Sequence, residues 1–276
     1  MDSFHKFIPS PTRAYIELGP LTIHFYAIAI LSGIAVAIYW GNLRFIATGG
    51  APGKVSEVAL VAVPMGVIGG RIYHVITSPQ GYFGKNGKPI EIFYIWQGGL
   101  GIWGAISLGL LAAWWSFNRG EVNQDTAPKF ATFADSLAPG VVVAQAIGRW
   151  GNWFNIELFG RPTTLPWGLE VPIGYRPNQF AEFATFHPTF IYESIWCLVV
   201  AVILLRIERF KMAPGSLFIA YVALYSFGRT LIESIRIDDA NLILGLRLNI
   251  WVSLGVCAVS SATLFKRWKS GTGDRI

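Results

Sequence analysis

Six runs of mainly apolar residues, at about 21–41, 56–77, 93–117, 188–205, 214–234 and 246–265, constrain what this 276-residue chain can fold into. Each approaches the roughly 20 residues that an α-helix needs to cross the hydrocarbon of a bilayer. A soluble domain could not cover so much apolar surface. Hydrophobic residues make up 53% of the chain and charged residues only 14%, against about a quarter charged in soluble domains. A seventh run, about 132–150, is weaker because it carries Asp135, Pro139, Gln145 and Arg149. Such residues at membrane depth must face other helices or a water-filled cavity. The expected fold is all-α and integral to a membrane: about seven transmembrane helices forming one membrane domain over residues 1–276. Residues 1–20 are polar and mixed, and the first apolar run is long enough to span, so it reads as an anchor, not a cleaved signal.

Basic residues set the orientation. With seven spans and the N-terminus outside, the inside segments carry Arg44 and Lys54, then Arg119 and Lys129, then Arg206, Arg209 and Lys211, and last Lys266, Arg267, Lys269 and Arg275. Leaving out the 132–150 run would put the basic 206–211 loop on the wrong side. Lys85, Lys88, Arg161, Arg176, Arg236 and Arg247 fall outside in this scheme. The net charge of +6 follows from this flanking pattern, so no nucleic-acid surface is inferred. The segment 151–187, with its Pro, Gly, Trp and Asn, is expected to form a small extracytoplasmic cap of turns and short extended pieces. The tail from Lys266 reads as a short basic disordered end. Cys197 and Cys257 lie inside apolar runs. They offer no disulfide framework and no metal-ligand spacing, and read as small buried hydrophobes.

On this topology the unusual polar residues gather at the outer ends of the helices. His24 and Tyr26 open the first span, and Arg71 and His74 lie near the end of the second. Trp96, Gln97 and the run Gly98–Gly104, with Gly99 and Trp103, belong to the third. Arg149, Asn152, Asn155 and Glu157 mark the exit of the fourth, His187, Tyr192 and Glu193 the start of the fifth, and Tyr225, Arg229, Glu233 and Arg236 the end of the sixth. A single arginine near a helix end is as readily a snorkelling or structural residue. Three intramembrane arginines at one level, with glutamates and tyrosines beside them, favour a site. Steps of four, four and three put Tyr225, Arg229, Glu233 and Arg236 on one helical face, which must point into the bundle. Glu233 is placed to hold either Arg229 or Arg236, leaving the other for a ligand. The small residues Gly66, Gly69 and Gly70, and the glycines of 98–104, read first as helix-packing positions. The planar arginine fork suits carboxylate or phosphate. Within an apolar bundle, a phospholipid head group with its tails still in lipid fits best. The residues alone do not reach a reaction.

The stretch Gly148-Arg149-Trp150-Gly151-Asn152-Trp153-Phe154-Asn155-Ile156-Glu157-Leu158-Phe159-Gly160 resembles the signature of the prolipoprotein diacylglyceryl transferase family. That signature reads G-R-x-G/A-N-F-x-N-x-E-x-x-G, and Trp153 replaces its phenylalanine. His24-Phe25-Tyr26, Gly69-Gly70-Arg71, the glycine-rich run, His187-Pro188-Thr189 with Tyr192-Glu193, and Tyr225…Arg229…Glu233…Arg236 are similar to the same family in the same order. The resemblance runs from about residue 15 to 265.

It implies an enzyme of the bacterial cytoplasmic membrane, with seven helices, an external N-terminus and a site facing the outer leaflet. Such an enzyme moves the diacylglyceryl group of phosphatidylglycerol onto the lipobox cysteine thiol of a prolipoprotein signal peptide. A thioether forms, glycerol-1-phosphate leaves, and neither metal nor organic cofactor is needed. Under this resemblance Arg149 and Arg229 hold the phosphate, Glu157 and Glu233 position the arginines, and Asn152 and Tyr26 orient the head group. His24, Arg71, Gly99, Trp103, Asn155, Gly160, Tyr225 and Arg236 complete the substrate-binding set. One departure stands out: Trp103 occupies a position where many members carry a histidine proposed as the base, and an indole cannot accept a proton. His24, His187 and Glu157 remain as acceptors, or Arg229 lowers the thiol pKa through its charge. The rival readings are a transporter or a binding protein for an anionic lipid or small anion. A transporter would place its charges near the midplane in repeated halves, and no repeat is found here.

Overall fold

The computed structural model describes residues 7–19, 21–84, 87–95, 98–119, 128–210 and 212–273. Lys85, Trp96, Gln97, Lys211 and Arg275 lie outside them. The chain opens with a hairpin of β1 (Tyr15–Leu18) and β2 (Leu21–His24), which leads directly into α1 (Phe25–Ala47). Then come α2 (Lys54–Thr77), a single turn α3 (Gln80–Phe83), α4 (Ile102–Asn118) and α5 (Phe130–Asn155). A second hairpin, β3 (Leu169–Glu170) with β4 (Thr185–Phe186), precedes α6 (Thr189–Ile207) and α7 (Ser216–Glu233). The third, β5 (Leu242–Ile243) with β6 (Leu246–Arg247), joins α7 to α8 (Leu248–Gly273).

The described chain is mostly helical, and five helical segments are long and apolar enough to cross a bilayer: Phe25–Ala47, Lys54–Thr77, Phe130–Asn155, Thr189–Phe210 and Leu248–Lys269. The run expected to be weakest, about 132–150, is among them. The other two expected spans are shorter helices. α4 has 17 residues; α7 has 18 and carries Arg229 and Glu233 in its last turns. The third span was expected from residue 93, but α4 starts only at Ile102. Gly98 and Gly99 take φ of 86° and 71°, a region that glycine enters without steric penalty and an α-helix excludes. α8 continues to Gly273, so the described part of the tail expected to be disordered from Lys266, residues 266–273, is helical. α5 likewise runs to Asn155, so the irregular segment starts at residue 156 and not at 151. The hairpins beside α1 and α8 were hidden because their apolar residues merge with the adjoining helical runs.

The chain divides into two compact units. One holds residues up to Gly41 with Ala134 onward; the other spans Asn42–Phe133. In the first, Ala138, Val142 and Ala146 of α5 recur every fourth residue. They pack against Cys197, Val200, Ala201 and Leu204 of α6 and Leu217, Ala220 and Tyr221 of α7. Cys197 is thus fully buried, whereas Cys257 is half-buried. Asp135, awkward in a lipid-facing span, has a partner inside the unit. Its carboxylate accepts the backbone N–H groups of Gly215 at 2.5 Å and Phe218 at 2.7 Å, which caps the N-terminus of α7. The segment between α5 and α6 has its own small core of Ile156, Phe159, Leu169, Val171, Phe186 and Phe190, and Ile8 pairs with Leu169 at its edge.

In the second unit α2 and α4 meet at Gly69 and Gly104. A Cβ on either would collide with the backbone carbonyl of the other. Close backbone approach therefore explains these glycines. Phe45, Phe117, Phe130 and Phe133 pack ring against ring, mostly edge-on, at the opposite end of this unit.

Candidate functional site: a buried arginine–carboxylate cluster

Three helices of the first unit converge on one cluster. Arg149 comes from the last turns of α5, Glu193 from the first turns of α6, and Tyr225, Arg229 and Glu233 from one face of α7. Glu193 stands between two guanidinium groups. Arg149 Nε pairs with its Oε2, and Arg229 Nη1 donates to its Oε1 at 2.7 Å. Arg149 Nη2 also donates to the Tyr225 hydroxyl at 3.0 Å. Glu233, with 0% of its surface exposed, lies 2.6 Å from Arg229 Nη2 but off the N–H axis, so that contact is an ion pair more than a hydrogen bond. Its other oxygen, Oε1, accepts from Arg247 Nε at 2.8 Å and Asn249 Nδ2 at 3.1 Å.

The choice left open for Glu233 is thereby resolved within the structure. It holds Arg229, and Arg236 stays more loosely placed, with Nη1 at 3.7 Å from Glu233 and 4.0 Å from Glu193. Arg236 is instead anchored through Nε, which donates to Asp238 Oδ1 at 2.7 Å. Four buried or half-buried arginines (149, 229, 236, 247) face three carboxylates (193, 233, 238). One positive charge is left over among these described residues. Buried charges are stable only when paired and hydrogen-bonded, so a surplus of one cation suits one bound anion. A cavity of about 10 Å³ lined by Glu193, Cys197, Tyr225 and Arg229 admits about one water and no head group.

The signature stretch forms a strained turn at the end of α5. Ile156 and Leu158 have φ of 52° and 59°, a region unfavourable for any side chain and most of all for a β-branched one. Between them Glu157 accepts hydrogen bonds from Asn152 Nδ2 at 2.8 Å and Asn155 Nδ2 at 3.2 Å. The turn is held from α6, where the Thr189 hydroxyl donates to the Leu158 carbonyl. Glu157 was expected to position an arginine; the structure gives it the two asparagines instead. Tyr26 packs its ring on Gly151, where a Cβ would meet it at 2.6 Å. Gly160 bridges to Arg236. A Cβ there would fall 2.9 Å from His187 and 3.0 Å from the Ile235 carbonyl, so its role is backbone approach.

His187 hydrogen-bonds the Tyr192 hydroxyl through Nδ1 at 2.9 Å, and Trp167 donates to that same hydroxyl at 3.1 Å. Since Trp is donor-only, Tyr192 has its own proton to offer to His187 Nδ1. Burial holds His187 below the usual imidazole pKa, so it is neutral near pH 7. His24 packs on Tyr15 across the first hairpin.

Arg71, Gly99 and Trp103 belong to the second unit. Arg71 was expected to meet substrate. It is buried, with Nε donating to the Ile92 carbonyl at 2.7 Å, Nη1 to the carbonyls of Gly98 and Gly99 at 2.8 and 3.2 Å, and Nη2 to the backbone carbonyl of Glu91. Its guanidinium also lies over the Tyr82 ring at 5.3 Å. These contacts take up four of its five N–H donors and make it a strut for the glycine-rich loop. A Cβ on Gly99 would strike Arg71 and His74. Trp103 is exposed in the first turn of α4.

The sequence singles out Glu193 at the start of its helix but does not show that it joins two arginines. It gives Asp238, Arg247 and Asn249 no part in the cluster, and counts Arg247 only among the basic residues outside. Asp238 lies only two residues beyond Arg236, a local signal that was available. Arg247 and Asn249 sit beyond a hairpin whose turn gave no clear mark.

The family model described as prolipoprotein diacylglyceryl transferase matches residues 13–266. The chain is 49% identical over 263 residues to phosphatidylglycerol–prolipoprotein diacylglyceryl transferase 2 of Streptomyces coelicolor, covering 93% of this chain and 81% of that one. It is 54% identical over 243 residues to the phosphatidylglycerol–prolipoprotein diacylglyceryl transferase of Cutibacterium acnes, covering 88% and 80%. A family match over residues 13–266, with relatives about half identical along most of their length, leaves one assignment: the chain belongs to the prolipoprotein diacylglyceryl transferase family.

Proposed function

We propose that this protein transfers the diacylglyceryl group of phosphatidylglycerol to the cysteine thiol of a prolipoprotein, at the arginine cluster. Family membership and the names of its relatives support the reaction. The single structural observation that carries the site is the surplus positive charge of four arginines against three carboxylates in one buried cluster.

In the reaction the thiolate sulfur attacks the glyceryl carbon that bears the phosphate. The C–S bond forms, the C–O bond breaks, and the electron pair leaves on glycerol-1-phosphate. Negative charge grows on the phosphate, and preorganised guanidinium donors in a dry site stabilise it. Arg229 is locked by Glu193 and Glu233 and acts by its charge. Arg149 keeps Nη donors for the phosphate oxygens as charge grows on them, and Arg236 keeps its Nη edge to bind the phosphodiester equally before and during transfer. Glu157 holds Asn152 and Asn155 in place for the head group, with Tyr26 beside them. The thiol must lose its proton, since only thiolate is a competent nucleophile. Trp103 cannot take it. The adjacent arginines favour the thiolate electrostatically.

In this reading the chain spans the bacterial cytoplasmic membrane seven times, with α4 and α7 as the two shorter spans. The N-terminus lies outside, and the lobe between α5 and α6 forms an extracytoplasmic cap. The cluster then sits at the outer leaflet, and the lipid enters sideways with its acyl chains still in the bilayer. A lipobox signal peptide arrives from the same side.

The test is incubation of the purified protein with phosphatidylglycerol vesicles and a lipobox peptide. The peptide should gain the mass of a diacylglyceryl group while glycerol phosphate is released, and phosphatidylethanolamine should not replace the donor. Lipid binding without either product would favour a binding protein instead.

A further inference from the structure

Arg236 has donors available for an anion, but it sits on the irregular segment after α7, where no helix fixes its side chain. What fixes it is a relay. Arg236 Nε donates to Asp238 Oδ1 at 2.7 Å, and the other oxygen, Oδ2, accepts from Arg247 Nη2 at 2.9 Å. Arg247 Nη1 donates to the Asp238 backbone carbonyl at 2.6 Å, and Arg247 Nε reaches Glu233 Oε1 at 2.8 Å. Arg247 therefore ties the loop at Asp238 to the buried end of α7 at Glu233. It is delivered there by the β5–β6 hairpin, whose turn residues Leu244 and Gly245 both have positive φ, 51° and 78°.

Asp238 is the informative member. A carboxylate beside an anion-binding arginine opposes the anion by simple Coulomb repulsion. Its presence there needs a reason other than affinity. The geometry supplies one, because binding Nε leaves the Nη edge of the guanidinium turned toward Glu193 and Glu233, the interior of the cluster.

We infer that Asp238 and Arg247 are positioning residues for Arg236, holding its guanidinium by one edge so that the other edge receives the phosphodiester of the lipid substrate. The inference rests on the transferase reading above. Neither residue touches the lipid. Arg247 works through its fork, which spans two carboxylates at once, and the single ammonium of a lysine cannot do the same.

The two residues carry opposite charge, and this separates positioning from a general field. Arg247→Gln removes a positive charge and Asp238→Asn removes a negative one. Steady-state kinetics of the full chain in nanodiscs, with phosphatidylglycerol varied, reads both. Each variant should raise KM for phosphatidylglycerol by about tenfold, the order of one misplaced charge-assisted hydrogen bond, with kcat changed by less than about twofold. The double variant should be no worse than the worse single one, because both act through one device. Arg247→Lys should recover only part of the loss. Should Arg247→Gln fail to assemble, Asp238→Asn, at a part-exposed side chain, carries the test alone.

KM values that move in opposite directions, following charge, would overturn positioning. So would unchanged KM in both variants, or a fall in kcat with KM intact. A wild-type protein without transfer activity removes the transferase reading and this inference with it. An active wild type with unmoved variants removes this inference alone.

Discussion

At the scale of single residues, two guanidinium groups on neighbouring helices repel unless a carboxylate lies between them. Glu193 fills that place between Arg149 and Arg229. Glu193→Gln keeps the size and removes the charge. It should lower kcat/KM for diacylglyceryl transfer by about a hundredfold or more and the melting temperature by several degrees, because breaking a buried pair costs about 3–5 kcal/mol. Activity and thermal unfolding check the two parts separately. Asp238, outside the helices, adds a pH signature. Burial alone would raise its pKa, but the hydrogen bond from Arg236 and the charge of Arg247 hold it below the usual carboxylate range. Its stabilisation is therefore complete above the unfolded carboxylate value of about 3.9 and lost as pH falls through the lower folded value. Unfolding of wild type and Asp238→Asn, compared from neutrality to about pH 3, should show a stability gap that is constant down to about pH 4 and then closes. The signature and the helical steps from Tyr225 to Arg236 made the arginines legible. The partner choices were not, because Arg149 and Glu193 meet only through the packing of α5 on α6, and no spacing within either helix reports it.

At the scale of elements, contacts between helices explain residues that look misplaced in sequence. Asp135 caps α7 from α5. Asp135→Ala should destabilise the protein by about 1–2 kcal/mol, read as a lower unfolding midpoint, and Asp135→Asn should lose less. Gly104 faces the Gly69 carbonyl with no room for a Cβ. Gly104→Ala should force α2 and α4 apart at a cost of about 1–3 kcal/mol, measurable by the same unfolding. The glycine spacing announced that packing correctly, because small residues at helical repeat have few other uses in a span. The packing reading failed only for the first glycines of the third apolar run. There Gly98 and Gly99 are loop residues held around Arg71, and composition alone cannot tell a packed glycine from a left-handed one. The hairpins before α1 and α8 were missed for a related reason, since period-two strands of four or two residues vanish inside long apolar runs.

At the scale of the whole molecule, the all-α membrane character was legible from hydropathy, because lipid exposure leaves a signal in nearly every residue of a span. The ends of the spans were less so. Charged groups such as Arg229 and Glu233 lower the apolarity of α7 because that helix ends in the cluster, where ion pairing with neighbouring elements replaces lipid contact. The central claim is that guanidinium groups from separate elements jointly hold the lipid phosphate. Its most direct test is the transfer rate from phosphatidylglycerol to a lipobox peptide by purified Arg149→Gln and Arg229→Gln proteins that still fold. The account predicts that each loses about a thousandfold in kcat/KM; normal turnover in either one would contradict it.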